Sequence, residues 1–110
     1  MTDLAARFEQ TLRDLYEQIV REVSGYRPTA FLAMLNQAGG VDTAKRLNAT
    51  MTDGFIRLWE ADRLDLTVEA TMIRVPYRRL FTRAELMMAQ ERLDEVLAAP
   101  PQKGKGRSTR

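Results

Sequence analysis

The chain has 110 residues, of which 45% are apolar, so it has room for one domain with a single hydrophobic core. It contains no Cys and no His, which excludes disulfides, thiolate nucleophiles, imidazole metal ligands and the usual general base. No apolar run approaches the ~20 residues that cross a bilayer, and the first residues lack the apolar core of a signal peptide. We therefore expect a cytoplasmic protein that is not an enzyme and that uses no cofactor or metal.

The net charge of +2 is unevenly distributed along the chain. Residues 101–110 contain four basic residues and no acidic one, whereas the first 100 residues hold 13 basic against 15 acidic residues. The basic residues of this tail are Lys103, Lys105, Arg107 and Arg110. Because the tail also lacks large apolar side chains, we predict a helical domain over residues 1–100 and a disordered basic tail over 101–110.

Hydrophobic periodicity predicts an all-α fold, a compact bundle of five or six helices. The first helix is long and amphipathic, with apolar residues every three or four positions from Leu4 to Val23, and it should end at Ser24-Gly25. Capping residues then mark the starts of the later helices. These starts are Pro28 or Thr29, Asp42, Thr52 or Asp53, Thr67 and Thr82.

The interruptions between the helices are equally visible in the sequence. Gly39-Gly40 should end the second helix, and Val75-Pro76 should end the fifth at Arg74. The last helix begins at a capping box formed by Thr82 and Glu85, and Pro100-Pro101 ends it.

The first helix is also a candidate surface for a partner. At about 20 residues it would extend ~30 Å, which is as long as a small domain is wide. A helix of this length can extend beyond its own core and expose part of its apolar stripe. Its central apolar residues, Leu12, Leu15 and Ile19, could then bind a second copy of the chain or another protein. The alternative is that the whole stripe is buried within one chain.

Several sequence blocks are spread over residues 26–93, about two-thirds of the chain. They are Tyr26-x-Pro28-x-x-Phe31, Met34-Leu35, Gly39-Gly40-Val41, Ala44-Lys45-Arg46-Leu47, Gly54-Phe55-x-x-Leu58-Trp59-Glu60, Arg63-Leu64-Asp65-Leu66-Thr67-Val68-Glu69, and Leu80-Phe81-Thr82 leading into Glu85-Leu86. With these blocks the chain resembles a family of small uncharacterised bacterial proteins and appended domains. The resemblance implies a bacterial protein but no activity, cofactor or catalytic residue.

One basic stretch lies inside the domain, where no acidic residue occurs from 70 to 84. Its arginines are Arg74, Arg78, Arg79 and Arg83. Together with the tail they could bind phosphates, which makes nucleic acid the alternative partner. Residues 31–47 also have the outline of a helix-turn-helix, with four polar residues as candidate DNA contacts. These are Thr43, Lys45, Arg46 and Asn48.

Two further groups have both a functional and a structural interpretation. One acidic group could hold a hard cation such as magnesium, although helix capping and ion pairs explain it more simply. Its members are Glu60, Asp62, Asp65 and Glu69. Met87-Met88 could fill a gap in the core or form an adaptable contact surface. The sequence favours a non-enzymatic interaction or adaptor module, with nucleic-acid binding as the alternative.

Overall fold

The computed structural model describes residues 3–98, and all regular structure in this range is helical. Its α-helices are α1 (Leu4–Glu22), α2 (Thr29–Asn48), α3 (Asp53–Glu60), α4 (Val68–Met72) and α5 (Arg83–Ala98). Single 3-10 turns, Leu64–Leu66 and Tyr77–Leu80, precede α4 and α5. The all-α prediction is confirmed for these residues, among which no helix is both long and apolar enough to cross a membrane. The predicted disordered tail lies outside the described residues.

The later helices begin at the N-cap residues that the sequence indicates. Thr52 and Thr67 each accept a hydrogen bond of 3.1 Å from the backbone N–H three residues further on. Thr82 and Glu85 form the capping box: Glu85 N donates to Thr82 Oγ1 at 3.1 Å, and Thr82 N donates to Glu85 Oε1 at 2.8 Å. Such caps fix helix starts because they satisfy backbone donors that have no partner within the helix.

The predicted second and third helices are two halves of α2. Gly39 has a φ of 82°, a left-handed conformation that kinks the helix at the predicted break. The helix resumes directly after Gly39, so the prediction of Asp42 as an N-cap is wrong. Glu9 of α1 instead accepts a hydrogen bond from Gly40 N at 3.2 Å. A Cβ atom at Gly40 would lie 2.7 Å from the Glu9 Cα, so the close crossing of α1 and α2 requires glycine here.

The core has one large and one small cluster of buried side chains. The large cluster joins α1, α2 and α4, and it includes Phe8, Leu12, Leu15, Ile19, Leu35, Ala44, Leu66 and Met72. The small cluster joins α3 to α5 through Phe55, Leu93 and Val96, with Trp59 half-buried beside them. Burial of each large apolar side chain contributes about 1.5–3 kcal/mol. The second cluster thus attaches α5 to the body of the domain.

Candidate functional site

The apolar stripe of α1 is buried within the chain. Leu12, Leu15 and Ile19 are 0%, 7% and 3% exposed. They contribute to the large core cluster because α2 and the 3-10 turn Tyr77–Leu80 pack against α1. The structure therefore corrects the expectation that these three residues are free to contact a partner, and the intramolecular alternative applies.

An apolar surface is instead exposed on α5. Met87 and Met88 are 52% and 43% exposed. Glu91, Asp94 and Glu95 follow at helical spacing, so all five side chains project to the same side of the helix. We call these five residues the α5 outer face. Its two flexible apolar side chains are followed by one carboxylate on the next turn, Glu91, and by two on the turn after it, Asp94 and Glu95.

The α5 outer face carries uncompensated negative charge. Within residues 3–98, none of Glu91, Asp94 and Glu95 takes part in an ion pair. The three carboxylates and Met88, together with Arg92, border a shallow surface depression. The depression is therefore lined by one methionine and four charged residues, and Met87 lies exposed beside them.

α5 is fixed to the domain through Arg92 and through its buried side. Arg92 Nη1 donates to Glu69 Oε2 of α4 at 3.0 Å and to the Asn48 carbonyl oxygen of α2 at 2.9 Å. Burial raises the pKa of Glu69. Hydrogen bonds from its own backbone N–H and from Arg92 lower this pKa but do not outweigh burial. Ala89 and Leu93 are buried on the same side of the helix. The outer face is thus presented on a helix held by both apolar and polar contacts.

The four arginines of the basic stretch are all exposed. Arg74 Nη2 donates to the Asp65 carbonyl oxygen at 3.3 Å, and the stretch contains the 3-10 turn Tyr77–Leu80. The turn is held against α1, because the Tyr77 and Phe8 rings lie 5.3 Å apart. In the part of the chain that the structure describes, Arg74, Arg78, Arg79 and Arg83 form no ion pair. The candidate residues Lys103, Lys105, Arg107 and Arg110 lie outside the described residues.

The helix-turn-helix hypothesis conflicts with burial. Thr43 and Asn48 are 0% and 1% exposed, so two of its four proposed DNA contacts face the core. Asn48 uses its side-chain amide to donate to the Glu85 carbonyl oxygen at 3.0 Å. This residue therefore joins α2 to α5 and is unavailable to a base.

The acidic group proposed for magnesium does not assemble into a site. Among the residues described, no three His, Cys, Asp or Glu side chains lie close enough together to hold a metal ion. Asp65 is paired with Arg63 at 3.1 Å, and Glu69 is paired with Arg92. Ion pairing thus accounts for these two carboxylates, as the structural interpretation expects.

Sequence reasoning offered Met87-Met88 as a contact surface but did not connect it with the acidic residues that follow. The signal was present, since the three acids recur at helical spacing opposite the buried stripe of α5. Comparisons of the chain with family models, curated proteins and solved structures found no match.

Proposed function

We propose that this chain is a non-enzymatic interaction module of a bacterial cytoplasmic protein, and that the α5 outer face is its docking surface. The observation that carries the proposal is the exposure of Met87 and Met88 beside three carboxylates that have no ion-pair partner within residues 3–98. Methionine side chains adapt to the shape of a partner, which suits them to a contact surface.

The chemistry of this face selects one kind of partner segment, a basic amphipathic helix. An apolar face is needed to cover the methionines, and Lys or Arg residues are needed beside it to approach Glu91, Asp94 and Glu95. An acidic segment would be repelled by the same carboxylates. The exposed surface of a 16-residue helix is a suitable support for a second helix.

The test measures the affinity of a fluorescent 15-residue Leu/Lys amphipathic peptide for the full chain by anisotropy. Removing two acidic charges with Glu91→Gln and Asp94→Asn should weaken binding about threefold to tenfold, because each exposed pair contributes only a modest free energy. Met87→Gln with Met88→Gln should weaken it further. The matched control is Asp14→Asn with Glu17→Gln, which removes two exposed charges from α1. Equal losses in control and test variants would contradict the proposal.

Nucleic-acid binding is the second candidate, and it rests on the exposed arginines. Arg74, Arg78, Arg79 and Arg83 occupy one segment without an acidic residue, and within residues 3–98 they have no ion-pair partner. Such a surface binds phosphates without reading the sequence of bases. The α5 outer face would repel a phosphate backbone, so the two functions require separate surfaces.

This second candidate is tested by titrating duplex DNA at several salt concentrations. Four phosphate contacts give a log–log salt slope of about −3.6. Deleting residues 101–110 should remove most of the binding if the tail supplies these contacts, whereas Arg78→Gln with Arg79→Gln should remove it if the folded segment does. Absence of binding by the intact chain would refute this candidate.

A further inference from the structure

A second recess, separate from the α5 outer face, opens between α1, the first half of α2, α3 and the start of α4. Its volume is about 370 Å³, near the lower end of the range for small-molecule sites. Its lining includes buried, half-buried and exposed residues. The apolar lining includes Leu15, Ile19, Phe31, Met34, Phe55 and Leu58.

Tyr26 contributes a fixed polar atom to this cavity. The Arg57 guanidinium lies 4.6 Å from the centre of the Tyr26 ring, and burial raises the pKa of the phenol. The hydroxyl lies so close to α3 that a Cβ at Gly54 would be 2.7 Å from it. None of the side-chain hydrogen bonds within residues 3–98 involves this hydroxyl, although it is a donor and an acceptor.

Glu69 supplies the second polar group of the lining. Its side chain is 4% exposed, and Arg92 is the side chain that hydrogen-bonds to it within the described range. A carboxylate has about four acceptor positions, so Glu69 retains capacity for one more donor. The hydroxyls of Thr52 and Thr67 also line the cavity, but they already accept the N-cap hydrogen bonds of α3 and α4.

The charges around the cavity disfavour an ionic ligand. A cation would approach Arg27 on the lining and Arg57 over the Tyr26 ring, and Glu69 is already neutralised by Arg92. An anion would approach Asp53 on the lining. Transfer of an unpaired charge into an apolar recess is costly.

We propose that this cavity binds a small, neutral, largely apolar molecule that carries one hydrogen-bond donor. The apolar body of the ligand contacts Phe31, Met34 and Phe55, and its donor is accepted by the Glu69 carboxylate or the Tyr26 hydroxyl. An aromatic ring with one N–H or O–H group has this chemistry. Aromatic side chains on the lining favour a flat ligand through offset or edge contacts.

The test titrates the ¹⁵N-labelled full chain with indole and with 1-methylindole, which has nearly the same shape but no donor. Indole should shift the amide signals of residues 26–31 and 52–55 and should bind about fivefold more tightly, as expected for one net hydrogen bond. Indole-3-acetate and tryptamine supply the anionic and cationic comparisons and should bind more weakly than indole.

Two methionine variants locate the site. Met34→Trp fills the cavity and should abolish the indole shifts, whereas Met51→Trp places the same side chain at an exposed methionine and should leave them unchanged. Equal affinity for indole and 1-methylindole would overturn the proposed ligand chemistry, and shifts that survive Met34→Trp would overturn the site. Tighter binding of the tripeptide Gly-Trp-Gly than of indole would assign the cavity to a partner's side chain and overturn the small-molecule proposal.

Discussion

Arg92 on α5 and Glu69 on α4 form a buried ion pair, with 3.0 Å between Nη1 and Oε2 and side-chain exposures of 12% and 4%. The same Nη1 atom donates to the Asn48 carbonyl oxygen at 2.9 Å, so one guanidinium joins three helices. Because Arg92 also borders the depression on the α5 outer face, the pair sets the position of the proposed docking surface.

Breaking this pair should destabilise the domain. Arg92→Met leaves the Glu69 carboxylate buried without its cation, which should lower the free energy of unfolding by about 3–5 kcal/mol. The double variant Arg92→Met with Glu69→Met replaces both charges by apolar groups and should recover much of the loss. Urea unfolding of the three proteins checks this, and a double variant as unstable as the single one would contradict it.

The stability contribution of Glu69 should depend on pH. Burial raises the pKa of this carboxyl above its ordinary value of 4.5, so the folded state holds the proton more tightly than the unfolded state. The associated stability is present below the unfolded pKa and is lost as pH rises through the folded pKa. The stability of the native chain relative to Glu69→Gln should therefore be highest below pH 4.5 and should fall as the pH rises through the raised pKa of the folded state.

Urea unfolding of both proteins across this pH range gives the comparison. The lowered pKa of Asp65, which arises chiefly from its hydrogen bond with Arg63, has the opposite pH dependence. This contribution of Asp65 is present in both proteins, so it cancels in the difference between their free energies of unfolding. A stability difference that stays constant or increases with pH would show that burial does not dominate at Glu69.

The helices and their caps could be predicted from local sequence because their signals lie within a few residues of each other. Thr82 and Glu85 are three positions apart, and the structure places them in the reciprocal hydrogen bonds of a capping box. The Glu69–Arg92 pair spans 23 positions, and its members look like ordinary surface charges in the sequence. Only the packing of α5 against α4 makes them partners.

The glycine pair in α2 also makes a contact between distant parts of the chain that could not be predicted from the local sequence. A turn at Gly39-Gly40 could be predicted, but the sequence does not reveal that α1 crosses there. Gly40→Ala should destabilise the domain by about 1–3 kcal/mol, because its Cβ would meet the Glu9 backbone at 2.7 Å. This loss should appear although alanine is the better helix former.

Gly25→Ala is the matched control, since a Cβ at Gly25 meets no atom within 4 Å and the cost there comes from the positive φ alone. Thermal unfolding of both variants under the same conditions separates the two causes. A Gly40→Ala protein as stable as the native chain would mean that α1 and α2 can move apart without cost.

The burial of α1 predicts the outcome of charge insertion. Leu12→Glu places a carboxylate at a position that is 0% exposed, so the chain should lose its cooperative fold. Circular dichroism should show a loss of helix, and Glu17→Gln on the exposed side of α1 should remain folded. A folded monomer of Leu12→Glu would instead restore α1 as an interface helix.

The most direct test of the proposed function is to map the bound Leu/Lys peptide on the ¹⁵N-labelled full chain by amide chemical shifts. We predict that the largest shifts fall on residues 87–95 of α5, that they are absent with a Leu/Glu peptide of the same pattern, and that they diminish at high salt. Shifts centred on another surface, or equal shifts with both peptides, would contradict the assignment of the α5 outer face as the docking surface.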